Sequence, residues 1–129
     1  MLKSGFSLFE VLIVMLITGI LAAIAIPSYQ HHLIKARRTE AISQLWMAAG
    51  QLEAYYGEHH RYTEFNGEAP SLSLSLNVYY HFQVIATSTT YMLSAVPQGS
   101  QTADSACGTL TLTDTGARSA SGTTPDRCW

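Results

Sequence analysis

The amino-terminal part of the chain contains a long apolar run. Residues 6–26 read FSLFEVLIVMLITGILAAIAI, and Glu10 carries the single ionisable side chain among these 21 positions. A helix of this length spans about 30 Å, the thickness of the hydrocarbon layer of a bilayer. The pattern predicts a transmembrane helix over 6–28. A secretory signal peptide is disfavoured, because its apolar stretch is only about 7–15 residues long.

A helical pattern of apolar positions continues after this run. From about residue 41, apolar side chains recur at steps of three and four, so one face is expected to pack on a small domain. Gly57 is predicted to end this helix, and the charged residues near its middle are expected to stay exposed. The two overlapping apolar series are Ile42, Leu45, Ala49, Leu52 and Tyr56, and Ala41, Leu45, Ala48, Leu52 and Tyr55; the charged residues are Lys35, Arg37, Arg38 and Glu40.

The periodicity beyond residue 57 is that of loops and strands. Residues 58–78 are rich in turn formers and predict a loop joining helix to sheet. Alternating or aromatic-rich segments predict antiparallel strands. The fold class is therefore α+β: a long amino-terminal helix over 6–57 packed against a small sheet of three or four antiparallel strands within 79–129. The predicted strands are 79–86, 91–96, 108–113 and 118–121.

Length and charge set limits on function. At 129 residues the chain is about one domain, and its charged share of 12% is about half that of ordinary globular proteins. Seven Lys and Arg stand against nine Asp and Glu, a formal net charge of -2. Bulk charge therefore does not favour nucleic-acid binding.

The two cysteines, Cys107 and Cys128, both lie near the carboxyl end. An even count in a chain that crosses a membrane indicates one disulfide formed outside the cytoplasm. Closing a loop of about 20 residues contributes roughly 3 kcal/mol in the chain-entropy account. The alternative interpretation is two unrelated buried thiols.

Glu10 is anomalous, because a carboxylate in hydrocarbon costs several kcal/mol unless it is neutralised. Its segment contains no cationic side chain, so Glu10 is either protonated or paired with a group from elsewhere. Gly5 and Phe6 form a small-then-large junction at the start of the apolar run. Cleavage there would create a new amino group on Phe6, at the head of the helix.

The residues around this junction resemble the class III signal of type IV pilin precursors: Lys3, Ser4, Gly5, Phe6, Ser7, Leu8, Phe9 and Glu10, followed by Gly19, Pro27 and Tyr29. The resemblance implies that a prepilin peptidase removes the leader 1–5 by cutting after Gly5, and that Phe6 becomes N-methylated. It implies that Glu10 meets the Phe6 amine of a neighbouring subunit during assembly. It also implies that the stretch from Gly19 to Pro27 loses helicity in the filament; a gentle permanent kink is the alternative.

The proposed pairing of Glu10 with Phe6 is physically reasonable. Opposite charges 4 Å apart attract by about 4 kcal/mol at an effective dielectric near 20. Removing one partner of a buried pair typically costs about 3–5 kcal/mol, so the pair sets the axial register between subunits more than it adds net stability.

The carboxyl-terminal part looks like that of PilE-type minor pilins, through Tyr91, Leu93, Ala95, Asp104, Cys107, Gly108, Leu110, Leu112, Gly116, Cys128 and Trp129. The resemblance implies a precursor that crosses the inner membrane once, with a periplasmic carboxyl-terminal domain, and later becomes part of an extracellular fimbrial filament. The implied partners are other pilin subunits, the peptidase and an inner-membrane assembly platform. Adhesion, twitching motility and DNA uptake in competence are the implied processes.

Enzyme function is disfavoured, because the sequence lacks a nucleophile elbow and a phosphate-binding glycine loop. No cofactor is predicted. The adjacent pairs His31–His32 and His59–His60 lack further ligands at suitable spacing, so no metal site is predicted.

Two other functions compete with a structural pilin. The first is a DNA receptor displayed on the filament, with Arg61, Arg118 and Arg127 as phosphate contacts; the missing basic stripe disfavours it. Arg61, Tyr62 and Phe65 are otherwise predicted to be loop anchors that pack on the sheet; the alternative is that these aromatic and basic side chains are exposed and contact a partner. The second is a type II secretion pseudopilin, disfavoured by the terminal disulfide and the lack of a clustered acidic calcium loop.

Overall fold

The computed structural model describes residues 5–75 and 77–129; Lys3 and Ser4 of the predicted leader lie outside the described residues. The elements in chain order are helix α1 (Leu8–His59), strands β1 (Tyr80–Ala86) and β2 (Tyr91–Pro97), 3-10 helix η1 (Gly99–Ala103), strands β3 (Leu110–Thr113) and β4 (Arg118–Ala120), and 3-10 helix η2 (Pro125–Arg127). Each strand pairs antiparallel with the next, in the order β1-β2-β3-β4. The predicted α+β class is confirmed.

The chain divides into two compact units, one ending at Leu33 and one comprising Ile34–Trp129. In the first unit the described residues from Leu8 onward are helical, and almost all of their side chains are exposed. α1 contains, among the described residues, the one segment long and apolar enough to cross a membrane. A helix that is apolar on all sides needs lipid or other protein around it.

The core of the second unit lies between α1 and the sheet. The helix contributes its small and aliphatic positions from residue 41 onward, as the apolar pattern predicts. The sheet contributes the inward-facing residues of β1, β2 and β3. The buried residues are Ala41, Leu45, Ala48, Ala49 and Leu52 from the helix, and Tyr80, Tyr91, Leu93, Ala95, Leu110 and Leu112 from the sheet.

The helix ends two residues later than predicted, at His59 rather than Gly57. His60 then turns the chain with a φ of 55°, a left-handed conformation that commonly follows the last helical residue. The last turn is supported by the ring of Tyr55, which stacks on His59 with centroids 4.1 Å apart. Glycine weakens a helix without stopping it, so packing of the flanking side chains decides the boundary.

The loop that follows runs back along α1 in an extended conformation. Gln51 uses its side-chain amide to bind the backbone of Ser73 from both sides: Nε2 donates to the Ser73 carbonyl at 3.1 Å, and Oε1 accepts from the Ser73 N–H at 2.7 Å. Leu72 and Leu74 pack against the core from this segment. The side chain of Gln51 therefore satisfies the backbone N–H and carbonyl of Ser73, as a neighbouring strand would do.

Cys107 and Cys128 form a disulfide, with Cα atoms 5.6 Å apart. The interpretation as two unrelated thiols is therefore wrong. Gly122 passes directly over the backbone of Ala106 and Cys107, where a β-carbon has no room. The bond and this close approach hold the carboxyl-terminal segment on the sheet.

Candidate functional site

The predicted processing junction lies ahead of the helix. Gly5 and Phe6 precede the first helical residue, Leu8, and Phe6 is 82% exposed. A β-carbon added at Gly5 meets no atom within 4 Å among the described residues. The junction is accessible to another protein, and the local fold does not itself require glycine there.

Glu10 lies in the first turn of α1, where the partial positive charge of the helix amino terminus favours an acid. Its side chain is exposed. Within residues 5–75 and 77–129 the structure contains one ion pair, Arg38–Asp104, so Glu10 has no counter-charge in this part of its own chain. Glu10 is therefore either protonated or paired with a group outside the described residues.

Gly19 and Pro27 both lie inside a continuous stretch of helix. Pro27 lacks an N–H and cannot donate to the carbonyl of Ala23, four residues earlier. Thr18 turns its hydroxyl to the carbonyl of Val14 at 2.8 Å, a contact that competes with the helix ladder. In the subunit the segment is helical, and its backbone bonding is weakest at Pro27.

Arg37 and Arg38 were predicted to be exposed, and that prediction is wrong. Arg38 binds Asp104 with two parallel hydrogen bonds, Nη2 to Oδ1 at 2.7 Å and Nε to Oδ2 at 2.9 Å. Arg37 stacks its guanidinium on the ring of Tyr79, 3.7 Å from the centroid, and donates to Ser100 at 3.1 Å. Both arginines fasten α1 to the region around η1.

A buried polar network continues from this ion pair. Gln101 is fully buried and donates from Nε2 to the carbonyl of Ile34 at 3.1 Å and to the hydroxyl of Tyr80 at 3.0 Å. The pKa of Tyr80 is raised overall. Burial is the largest cause of the rise, and the hydrogen bond from Gln101 opposes it in part. The network fixes where α1 crosses the sheet.

The three arginines predicted to contact DNA are not equally available. Arg118, on the edge strand β4, and Arg127, in η2, are exposed. Arg118, Ser119, Pro125, Asp126 and Trp129 line a shallow cleft of about 340 Å³, in which Trp129 donates its indole N–H to the carbonyl of Ser119 at 2.9 Å. Arg61 is half-buried and lies over the ring of Phe65, with its guanidinium carbon 3.7 Å from the centroid.

The neighbours of Arg61 show one correct prediction and one error. Tyr62 is buried and its hydroxyl donates a hydrogen bond to Glu53 at 3.0 Å. Burial, and to a smaller extent this hydrogen bond, raise the pKa of Tyr62 to about 12. Tyr62 is therefore a loop anchor, as predicted. Phe65 is 93% exposed and anchors nothing on the sheet, because it occupies the tip of a tight turn.

The histidine pairs show no metal-binding geometry. Within the described residues no cluster of three or more His, Cys, Asp or Glu side chains is placed to hold a metal ion. His59 bonds to its own helix instead, with Nδ1 3.1 Å from the carbonyl oxygen of Tyr55.

Solved structures share this fold. A type IV pilin from Shewanella oneidensis matches 74% of this chain and 97% of its own length, with a TM-score of 0.57 and 30% identity. The non-core minor pilin PilV of Neisseria meningitidis matches 71% of this chain and 90% of its own, with a TM-score of 0.58 and 25% identity. The long helix, the four-stranded sheet and the apolar amino terminus define the class of type IV pilins.

Sequence comparison identifies the family within this class. Residues 1–26 match the profile of the prokaryotic N-terminal methylation motif. Residues 27–111, more than half of the chain, match the profile described as type IV minor pilin ComP, DNA uptake sequence receptor. The chain belongs to this ComP minor pilin family, which supports the minor-pilin interpretation over that of a secretion pseudopilin.

Individual relatives are major pilins and fimbrial proteins. A type IV major pilin protein PilE1 of Neisseria gonorrhoeae is 44% identical over 71 residues, which cover 53% of this chain and 41% of that one. Fimbrial protein Q of Moraxella bovis is 35% identical over 75 residues, covering 58% and 43%. The matched region spans less than half the length of these relatives.

Proposed function

We propose that the chain is made as a single-pass inner-membrane precursor and is cut between Gly5 and Phe6 by a prepilin peptidase. The subunit is then assembled into a type IV pilus by an inner-membrane platform. The observation that carries this proposal is the helix from Leu8 to Leu33, whose apolar side chains are exposed while its one acid, Glu10, lacks a described counter-charge. Lipid can cover the apolar side chains, but it does not neutralise the acid.

Assembly supplies the missing charge. Cleavage frees the amino group of Phe6, which carries a positive charge even after N-methylation. This ammonium forms an ion pair with the Glu10 carboxylate of a neighbouring subunit. The weak backbone bonding near Pro27 allows the stretch from Gly19 to Pro27 to unwind as the helices pack. The subunit acts through assembly and binding, and it has no catalytic role of its own.

The processing step is tested by Gly5→Leu. The variant is expected to insert normally, because a side chain at Gly5 meets no described atom. It should remain uncut and absent from filaments, with cleavage lowered at least tenfold. Mass spectrometry of the amino-terminal peptide in membrane fractions gives the readout, and Gly50→Ala, at an open position within α1, is the control. A peptide beginning at Phe6 in the Gly5→Leu variant would contradict the proposal.

A second proposed function is DNA binding during uptake. The observation that favours it is the match of residues 27–111 to a family of DNA uptake sequence receptors. Exposed Arg118 and Arg127 leave their guanidinium donors to solvent, whereas Arg38 is neutralised by Asp104. The cleft that Arg118 lines also contains the hydroxyl of Ser119 and the carboxylate of Asp126. Among the processes served by pili, DNA uptake is therefore favoured over adhesion or twitching motility.

DNA binding is tested with the full chain in detergent micelles and a duplex containing candidate uptake sequences. The double variant Arg118→Ala, Arg127→Ala is expected to weaken binding similarly for all sequences. It should also lower the slope of log affinity against log salt by about one for each phosphate that is no longer neutralised. Fluorescence anisotropy across a salt series measures both quantities. Arg37→Ala is the control, because the guanidinium of Arg37 packs on Tyr79. An unchanged slope in the double variant would exclude Arg118 and Arg127 as phosphate contacts.

A further inference from the structure

The ring of Phe65 stands at the tip of a well-defined turn. The N–H of Gly67 donates to the carbonyl of Glu64 at 3.1 Å, and the N–H of Glu64 donates to the carbonyl of Glu68 at 2.8 Å. Gly67 has a φ of 83°, as the last residue of a three-residue loop of this kind requires. Asn66 closes the turn by accepting the N–H of Glu68 at 3.0 Å.

This turn is built on a rigid base. Tyr62 stacks on Tyr56 with centroids 4.5 Å apart and meets Tyr91 edge-on at 4.9 Å. The N–H of Tyr62 also donates to the carbonyl of Ser88 in the turn between β1 and β2, at 3.2 Å. The aromatic tip is therefore held in place before any ligand arrives, which lowers the ordering cost of binding.

The two faces of the Phe65 ring are unlike. Arg61 covers one face, with its guanidinium carbon 3.7 Å from the ring centroid. The side chain is nevertheless 93% exposed, so the other face is open to solvent. An aromatic face of this kind accepts another flat aromatic group by stacking.

Arg61 keeps its charge available. Within residues 5–75 and 77–129 it forms no ion pair, and its Nε is buried without a hydrogen-bond partner. A guanidinium held on an aromatic ring binds anions through its remaining donors. A base that stacks on Phe65 would bring its neighbouring phosphate close to the guanidinium of Arg61.

The charges around the tip limit how DNA approaches it. Glu64 and Glu68 flank Phe65, and the carboxylate of Glu68 accepts from Asn66 Nδ2 at 3.1 Å. These acids oppose a phosphate backbone that lies along the turn, but they do not oppose a base that reaches out to it. A wedge between two base pairs needs both ring faces, and Arg61 occupies one. The geometry therefore favours a single unpaired base over a groove of intact duplex.

We propose that Phe65 is a stacking platform for one unpaired nucleobase of DNA, and that Arg61 binds the phosphate beside that base. The inference rests on the DNA binding proposed above and adds a base-contacting element to its phosphate contacts. Stacking of a base on an aromatic side chain is sequence-tolerant, and its loss lowers affinity by roughly five- to 100-fold.

The test uses the full chain in detergent micelles and oligodeoxynucleotides that carry 5-iododeoxyuridine at one position. The probes are a single strand, a duplex with the modified base in a one-nucleotide bulge, and a fully paired duplex. Wild-type chain is expected to crosslink under ultraviolet light through Phe65 to the first two probes, and mass spectrometry of the crosslinked peptide identifies the residue. Phe65→Ala should bind these two probes five- to 100-fold more weakly and bind the paired duplex unchanged.

Matched variants separate stacking from general apolar contact. Phe65→Leu keeps an apolar side chain without an aromatic face and should behave like Phe65→Ala, whereas Ile85→Ala, at a 60% exposed position of β1, should behave like wild type. Wild-type affinity in Phe65→Leu, crosslinks at other residues only, or equal losses on the paired duplex would each overturn the inference. In those cases, loss of binding in the Arg118, Arg127 double variant would still uphold the DNA function. Absence of wild-type binding to every probe would overturn both.

Discussion

Replacing Glu10 by alanine is expected to abolish incorporation of the subunit into filaments while leaving membrane insertion intact. Insertion should be unchanged or improved, because the segment becomes more apolar. Assembly should fail because the freed amine of Phe6 on the neighbouring subunit then lies in a poorly hydrated bundle without its partner, a loss of about 3–5 kcal/mol for each pair. A drop of at least 100-fold in the pilus fraction relative to the membrane fraction, measured by quantitative mass spectrometry, is the expected result.

Two further variants define what Glu10 contributes. Glu10→Gln keeps the size of the side chain but not its charge, and it should fail like alanine if charge pairing sets the register. Glu58→Ala removes an exposed acid near the other end of α1 and should assemble normally. Efficient incorporation of the Glu10→Gln subunit would show that pairing with the Phe6 amine is not what drives assembly.

Replacing Asp104 by alanine is expected to destabilise the second unit strongly. Its side chain is 2% exposed and that of Arg38 is 15% exposed, so the substitution leaves a largely buried guanidinium without its anion. Breaking such a pair from one side costs about 3–5 kcal/mol, and the partial exposure of Arg38 places the expected loss near 3 kcal/mol. Urea unfolding of the full chain in detergent, followed by tryptophan fluorescence, measures it.

A double variant shows whether this loss of stability comes from breaking the ion pair. Arg38→Met combined with Asp104→Leu removes both charges and should recover most of the stability, because an apolar pair of similar size satisfies the site. Asp126→Ala, at an exposed acid in η2, should change stability by less than about 0.5 kcal/mol. Equal losses in the single and double variants would assign the effect to packing rather than to charge.

The elements with strong periodicity were predictable from the sequence. The three- and four-residue spacing around Leu45 and Leu52 identifies the helix face that is buried, and the alternation of Leu110 and Leu112 with threonines identifies β3. The apolar run is likewise readable, because hydrocarbon imposes a composition that few other environments share, and the lone acid at position 10 is readable as its exception. The interpretation of the Gly5–Phe6 junction depends on the resemblance to pilin precursors. The cysteine count indicated the disulfide.

Contacts between segments distant in the chain were not predictable in the same way. Arg38 and Asp104 are 66 residues apart, and a charged residue on an amphipathic helix is normally solvated, so its pairing depends on where η1 comes to rest. The exposure of Phe65 contradicts the usual burial of phenylalanine, and it follows from the turn that places this ring at the loop tip.

The sequence by itself determined that this chain has a membrane-length helix with a single acid, a small sheet and two cysteines near the carboxyl end, since each of these is specified by local spacing and composition. Only the tertiary structure decided which arginines are neutralised, which remain available to an anion, and which aromatic rings face solvent. Those properties depend on the environment that the rest of the chain builds around each side chain, and local sequence does not encode that environment.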